Sequence, residues 1–237
     1  MALSNSFDWV LTRDQVIAAA LRLCGSLGDY ETANANQIAN AAVFLNAIIK
    51  NYMNRGMPVW KTGIINIPLS NYGSGNSITI GPGGTITSIP KPMAIYRIDI
   101  TYNPADGGYR ELTPYDRNTF FMTDLAGVSG VPNSWFYVPE RTTGLLYLHQ
   151  KPSTEWQATG SIRVQYQAQQ DDVDSGSDDI DFPAEWHLVI VYELASHLAP
   201  IYGVAGADLS NIKQTLKSLK TDAHGFDTEV GSIYIRP

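Results

Sequence analysis

Residues 182–201 constrain the fold more than any other stretch. Phe182-Pro183-Ala184-Glu185 is a helix start, with Pro183 at the first helical position and Glu185 in the positive first turn. From there to about Ile201 the chain is apolar almost all round: Trp186, Leu188, Val189, Ile190, Val191, Tyr192, Leu194 and Leu198. A helix without a polar face is buried on most sides. The apolar run from Leu188 to Leu198 is interrupted by Glu193 and is too short to cross a bilayer core of roughly 30 Å. The helix is therefore either the centre of its subunit or has one side against a neighbouring subunit. In the second case Trp186, Val189, Tyr192, Glu193 and His197 are the candidate interface residues.

Such a helix needs partners, and three other segments supply helical patterns. Thr12-Arg13-Asp14-Gln15 is a Thr-x-x-Gln capping box. Behind it, Val16, Ile17, Ala20, Leu21, Leu23 and Cys24 form an apolar face, and Gly25 and Gly28 stop the helix. A longer helix spans about Asn34 to Arg55, with Ile38, Ala41, Ala42, Leu45, Ile48, Ile49, Tyr52 and Met53 at spacings of three and four. The short link between the two predicts an antiparallel helical hairpin. A fourth helix, about Asp208 to Ala223, carries Leu209, Ile212, Leu216 and Leu219 on one stripe and Lys213, Lys217 and Lys220 off it.

Between the helix pairs the period changes from helical to alternating. β-branched and alternating runs predict strands at Trp60–Leu69, Ser77–Ile80, Thr85–Ile89, Ala94–Tyr102, Tyr109–Leu112, Ser134–Val138, Leu145–His149 and Ser161–Gln167. Gly/Ser/Asn and Gly/Pro turns separate them, and Pro114 to Met122 reads as a short helix. The expected fold class is α+β. An antiparallel four-helix bundle, formed by the amino-terminal hairpin (1–57) and two carboxy-terminal helices (182–223), carries an inserted, mostly antiparallel β domain (58–181). Residues 224–237 form an extended tail.

Composition excludes several functions. Of 237 residues only 16% are charged, against roughly 25% in soluble proteins at large. The net charge is -7 and the sequence pI is near 5.0, which disfavours a basic nucleic-acid-binding domain. Cys24 is the one cysteine, so no disulfide scaffold is possible, and it reads as a small buried hydrophobe. Met1 to Asp8 has neither a basic nor an apolar leader region, so no signal peptide is expected and folding in a reducing cytoplasm is. No Walker A, Gly-x-Ser-x-Gly or His-Glu-x-x-His pattern occurs. Glu193 and His197 lie four apart on a helix, a hydrogen-bonding spacing that lacks the third ligand of a zinc site. No cofactor or metal is expected.

Two acidic features remain. The segment from Asp171 to Asp181 holds Asp171, Asp172, Asp174, Asp178, Asp179 and Asp181. It fails as an EF-hand, because with Gly176 in the sixth position Val173 and Phe182 fall where ligands belong. It reads as a solvated loop capping the apolar helix, with a casual cation site and an acidic surface facing a polyanion as the functional alternatives. Glu111, Asp116, Asp124 and Glu140 lie among Tyr115, Phe120, Trp135 and Tyr137. Paired carboxylates beside aromatics serve glycoside hydrolysis, although the same mixture lines ordinary β cores.

The order of elements carries a resemblance. A Thr-capped helix ends Leu-Arg-Leu-Cys-Gly. A long helix ends Tyr-Met-Asn-Arg-Gly-Met-Pro-Val-Trp. After an irregular β domain, Asp181-Phe182-Pro183-Ala184-Glu185-Trp186 opens a helix ending Leu-Ala-Pro-Ile-Tyr-Gly. Over about Leu11 to Ala223 the chain resembles the head-to-tail adaptors of short-tailed bacteriophages, the head-completion or tail tubular protein A-like family. The resemblance implies a structural virion protein of the neck, made in the host bacterial cytoplasm. It implies a ring of twelve copies that docks beneath the portal protein and extends the channel for genomic DNA. The ring would also present a platform for the tail nozzle and for fibres or spikes.

In that family an extended carboxy-terminal segment reaches the portal. Here Phe226, Val230, Ile233, Tyr234, Ile235 and Arg236 suit the role, and a terminal strand completing the subunit's own sheet is the alternative. A channel wall should not grip phosphates, which makes the six aspartates of 171–181 candidates for the lumen. The competing function is a glycan-binding or cell-wall-degrading tail protein built on the β domain. A ring protein of another neck level, such as a stopper, is a third.

Overall fold

The computed structural model describes residues 9–54, 61–72, 76–122 and 128–226. In chain order its helices are α1 (Arg13–Leu23), α2 (Ala35–Asn54), α3 (Arg117–Met122), α4 (Thr154–Thr159), α5 (Ala184–Leu198) and α6 (Gly206–Phe226). The strands are β1 (Thr62–Pro68), β2 (Ile78–Ile80), β3 (Ala94–Thr101), β4 (Arg110–Glu111), β5 (Thr113–Pro114), β6 (Ser129–Gly130), β7 (Ser134–Pro139), β8 (Gly144–His149), β9 (Lys151–Pro152) and β10 (Ser161–Gln167). The chain divides into two compact units, one of residues 58–169 and one formed by the residues before and after them.

In the helical unit the ends of the helices are set by local chemistry. The Thr12 hydroxyl accepts from the Gln15 N–H at 3.4 Å, and the Gln15 side chain accepts from the Thr12 N–H at 3.0 Å. Asn34 and Gln37 repeat that reciprocal box at the start of α2, both bonds at 2.9 Å. At the end of α1, Gly25 takes φ +65°, Gly25 N–H donates to Arg22 O and Ser26 N–H to Leu21 O. This is a Schellman stop, in which the left-handed residue costs glycine little. At α5, Pro183 is the N-cap rather than the first helical residue it was expected to be.

The four-helix bundle is not what these helices form. In a bundle each helix brings one apolar stripe to a shared axis. Here α5 lacks a polar side, and it takes the middle with α1, α2 and α6 packed on it. α1 lies more extensively on α5 than on α2. Val16, Ile17, Ala20 and Leu21 of α1, and Leu45, Ile48 and Ile49 of α2, are buried with Trp186, Val189, Ile190 and Leu194 of α5. The Cys24 thiol donates to Ala195 O at 3.4 Å, and burial pushes its pKa up to about 11, as befits an inert core residue. With α3 and α4 in the β unit, the described residues make an α+β protein of six α-helices.

The β unit is a sandwich. One sheet has the order β1-β10-β3-β4 and is antiparallel throughout. The other has the order β2-β8-β7-β5, with β5 parallel to β7, and β6 and β9 form a separate parallel pair. The alternation at Ile162, Val164 and Tyr166 puts these side chains inward. They meet Ile67, Ile98 and Ile100 of their own sheet and Ile78, Ile80, Trp135, Leu146 and Leu148 of the other in a single core. Gly63 is needed where it stands, since a Cβ there would lie 2.8 Å from the Tyr166 ring. The expected hairpin of β7 and β8 is present, closed between Pro139 and Gly144. Residues 85–89 make only a single bridge, Ile86 to Ile80, where a strand was expected.

Candidate functional site

The centre of the helical unit holds a buried carboxylate. Glu193 of α5 is 7% exposed. The Tyr52 hydroxyl of α2 donates to its Oε2, and the Lys220 ammonium of α6 lies 2.9 Å from the same oxygen. Lys220 also sits 5.4 Å from the centre of the Tyr52 ring, and that ring packs edge-on against Phe182 and Trp186. Burying such a charge adds little net stability, but removing one partner leaves the others uncompensated. The cluster therefore fixes how α6 lies on α5 more than it strengthens the unit.

Of the other candidate interface residues, Trp186 and Val189 are each 1% exposed, inside their own unit. Tyr192 is half-buried. His197 is exposed, with its ring stacked 6.3 Å from that of Phe44. Glu193 and His197 are thus directed to different neighbours. Large apolar residues left in solvent on this unit include Leu188, Ile201 and Val43.

The acidic segment is a fitted clasp. Val173 and Ile180 are buried and anchor it. The Asn46 side chain of α2 holds Val173 twice, accepting from its N–H at 3.1 Å and donating to its carbonyl at 3.4 Å. Lys50 donates to Gln170 O at 3.1 Å and pairs with Asp172 at 2.5 Å. The Asp178 carboxylate turns inward to its own loop, accepting from the N–H groups of Asp174 and Ser175 at 2.9 and 2.6 Å. Residues 178–180 run beside the start of α1: Arg13 N–H donates to Asp178 O at 2.8 Å, and Ile180 N–H to Leu11 O at 3.0 Å. Asp171, Asp174 and Asp179 are exposed, while Asp181 is half-buried. The carboxylates of Asp172 and Asp178 therefore have local structural work.

The carboxylates among the β-unit aromatics are occupied one by one. Glu111 faces Arg97 at 3.4 Å. Asp116 accepts from the Thr119 N–H at 2.6 Å, and this backbone bond lowers its pKa. Glu140 accepts from the Thr143 hydroxyl. Trp135 is a core residue whose indole N–H reaches Leu112 O. Asp124 lies outside the described residues. The charge cluster that sequence reading missed is on β3 and β10. Asp99, 3% exposed, takes Arg97 Nε at 2.8 Å and Arg163 at 2.7 Å, and the Arg163 guanidinium lies 4.2 Å from the Tyr109 ring centre. Burial pushes the Asp99 carboxyl up, but the two guanidiniums outweigh it and hold it below the ordinary carboxylate range. Among the described residues no group of three or more His, Cys, Asp or Glu side chains is placed to hold a metal ion.

Of the tail candidates, Phe226 is the last residue of α6, which runs past the expected stop at Ala223. Val230, Ile233, Tyr234, Ile235 and Arg236 lie outside the described residues.

Compared with known families, residues 11–228 match the family model described as SU10 adaptor protein. That span takes in α1, the whole β unit and α6. No curated protein matches the chain.

Proposed function

The chain belongs to the SU10 adaptor protein family, phage structural adaptors of the virion neck, and from that membership we propose that it works as a head-to-tail connector. Twelve copies form a ring that docks beneath the portal, continues the DNA channel and offers a platform to the tail nozzle and to fibres or spikes. The observation that carries this reading is the extent of the family match, which runs through both units rather than through one shared module.

Ring closure needs lateral contacts of roughly 2,000 Å² or more, low in charge. Two surface features support it. α2 carries a single charged side chain, Lys50, in 20 residues. Among its exposed positions, Asn36, Asn40, Val43, Ala47 and Asn51 fall on one stripe without charge. Around α5, the exposed Leu188, His197 and Ile201 add a second contact surface.

The exposed carboxylates of the 171–181 segment are proposed to line the channel, where they repel phosphates instead of binding them. Direct imaging of portal complexes formed with this protein tests the ring: twelve-fold density beneath the portal is expected, and portals that stay bare would refute it. Replacing Asp174 and Asp179 with Asn tests the lumen without touching the carboxylates of Asp172 and Asp178, which hold the loop. Slowed DNA ejection is expected, and unchanged ejection kinetics would move the segment off the channel wall.

A further inference from the structure

Two features of the helical unit are presented outward and left unused by their own chain. The first is the turn between α1 and α2. Glu31 N–H donates to Gly28 O at 3.1 Å, and Gly28 N–H donates to the Glu31 carboxylate at 3.0 Å. The Asn34–Gln37 box follows directly. Asp29-Tyr30-Glu31 is thereby fixed as a tight tip. Tyr30 is fully exposed there, and the exposed Asp29 carboxylate has no bonding partner among the described residues.

The second is one flank of α6. Lys213, Lys217 and Lys220 recur at i, i+4 and i+7, while Asp208 and Asp222 fall on the opposite side of the helix. Lys220 is taken by Glu193. Lys213 and Lys217 are exposed, have no ion partner among the described residues, and have no acid three or four positions away. A like-charge pair at that spacing weakens a helix, so the subunit alone gains nothing from it. α5 and α6 run antiparallel, with Trp186 beside His224 and Glu193 beside Lys220. That register brings His197 and Ile201 level with the turns of Lys217 and Lys213. Ile201 is 56% exposed, on a turn closed by its own N–H to Leu198 O and by Val204 N–H to Ala199 O, both at 2.9 Å.

We propose that the Tyr30 tip of one copy seats on the α5–α6 surface of the next, with Tyr30 against Ile201 and the Asp29 and Glu31 carboxylates toward Lys213 and Lys217, an inference that rests on the ring reading. Charge complementarity selects this occupant. In a chain of net charge -7, two free lysines flank an exposed apolar side chain, and the tip offers two carboxylates flanking an exposed aromatic one. Tyrosine is a frequent interface anchor. Both surfaces are fixed before they meet, which lowers the cost of association. Within one copy they stay apart, since Tyr30 is bare and the lysines are unpaired. A patch that meets a different patch on the next copy makes a heterologous contact, the kind that closes as a ring.

The test is a full-length chain carrying Thr32→Cys and Ser210→Cys, two exposed positions beside the contact, assembled into phage particles and treated with a short thiol-to-thiol cross-linker; Cys24 is buried. A ladder of covalent multimers is expected on denaturing gels. Adding Tyr30→Ala or Lys217→Glu should cut the ladder at least ten-fold. Adding Asp29→Lys to the Lys217→Glu chain should restore most of it, because the pairing returns with its signs exchanged. All three positions are exposed, so the thermal unfolding midpoint of the subunit should not move. A ladder indifferent to these changes, a reversal that fails to restore it, or cross-links confined to one chain or to a different virion protein would overturn the inference. The same particles are imaged. A ring without a ladder removes this inference alone, whereas particles without a ring remove the adaptor reading and this inference together.

Discussion

Asn46→Ala should loosen the acidic segment and cost the helical unit measurable stability. Asn46 serves both backbone groups of Val173, a residue 2% exposed, so alanine leaves a buried N–H and a buried carbonyl without their partner. An orphaned buried polar group costs about 1–3 kcal/mol. The two bonds are unequal. The N–H bond at 3.1 Å has ordinary length, while the amide-to-carbonyl bond at 3.4 Å is at the weak limit. The lost N–H bond therefore dominates, and a total of roughly 2 kcal/mol is expected. Asp172→Asn is the contrasting change, because it leaves the Lys50 bond to Gln170 O in place. Its carboxylate and the Lys50 ammonium are about half in solvent, and such pairs contribute about 0–1 kcal/mol. Urea unfolding of the two variants gives the difference directly, and amide exchange shows whether residues 171–180 lose protection first. A loss below about 0.5 kcal/mol for Asn46→Ala, or one no larger than that of Asp172→Asn, would refute the clasp as an anchored element.

Lys220→Met removes one partner of the buried Glu193 and should destabilise the unit by about 2–4 kcal/mol, with α6 amides exchanging fastest; equal exchange in α1 and α6 would refute the clamp. Acid should weaken the fold in two windows. His187, fully buried, donates from Nε2 to Phe182 O at 3.0 Å, and burial holds its pKa below 6.5 against the opposing effects of that bond and of Glu185. The unfolded chain then binds the proton more readily, so stability falls as pH drops below about 6.5, and His187→Gln, which keeps the donor, should flatten that limb. Asp99 has a lowered folded pKa. Its contribution is complete above about 3.8 and is lost only as pH falls further, which Asp99→Asn should abolish in an acid-unfolding titration.

Much of the helical architecture is legible because its signals are local. Thr12 with Gln15, Gly25 and the sequence Phe182-Pro183 act within a turn of where they stand, and the structure uses each. The four-helix bundle failed at the next level. Stripe counting treats four helices as equals, whereas the all-round apolar character of α5 dictates a central helix with three clients. The Tyr52–Glu193–Lys220 cluster and the Asn46–Val173 pair join residues more than a hundred apart, and no periodicity announces such contacts. A faint signal existed for Asn46, a polar residue beside a buried stripe on the long helix. The short parallel pairs of β5 with β7 and β6 with β9 are two residues long, below the length at which alternation can be read.

The distribution of charge joins these observations to function. Many of the charges in this sparsely charged chain are spent locally: Arg13 with Asp14, Lys50 with Asp172, Lys220 with Glu193, and Asp99 between Arg97 and Arg163. Pairing of this kind leaves whole surfaces neutral, and among the described residues one of them is the outer stripe of α2. A neutral surface lowers the desolvation cost of burial against another protein, so the α2 stripe is the face of its unit best suited to the lateral contacts proposed for a ring. The carboxylates of Asp171, Asp174 and Asp179 stay exposed together on one loop, and a concentration of negative charge that is costly to bury suits the proposed place of this loop on a channel wall better than a place in a subunit contact.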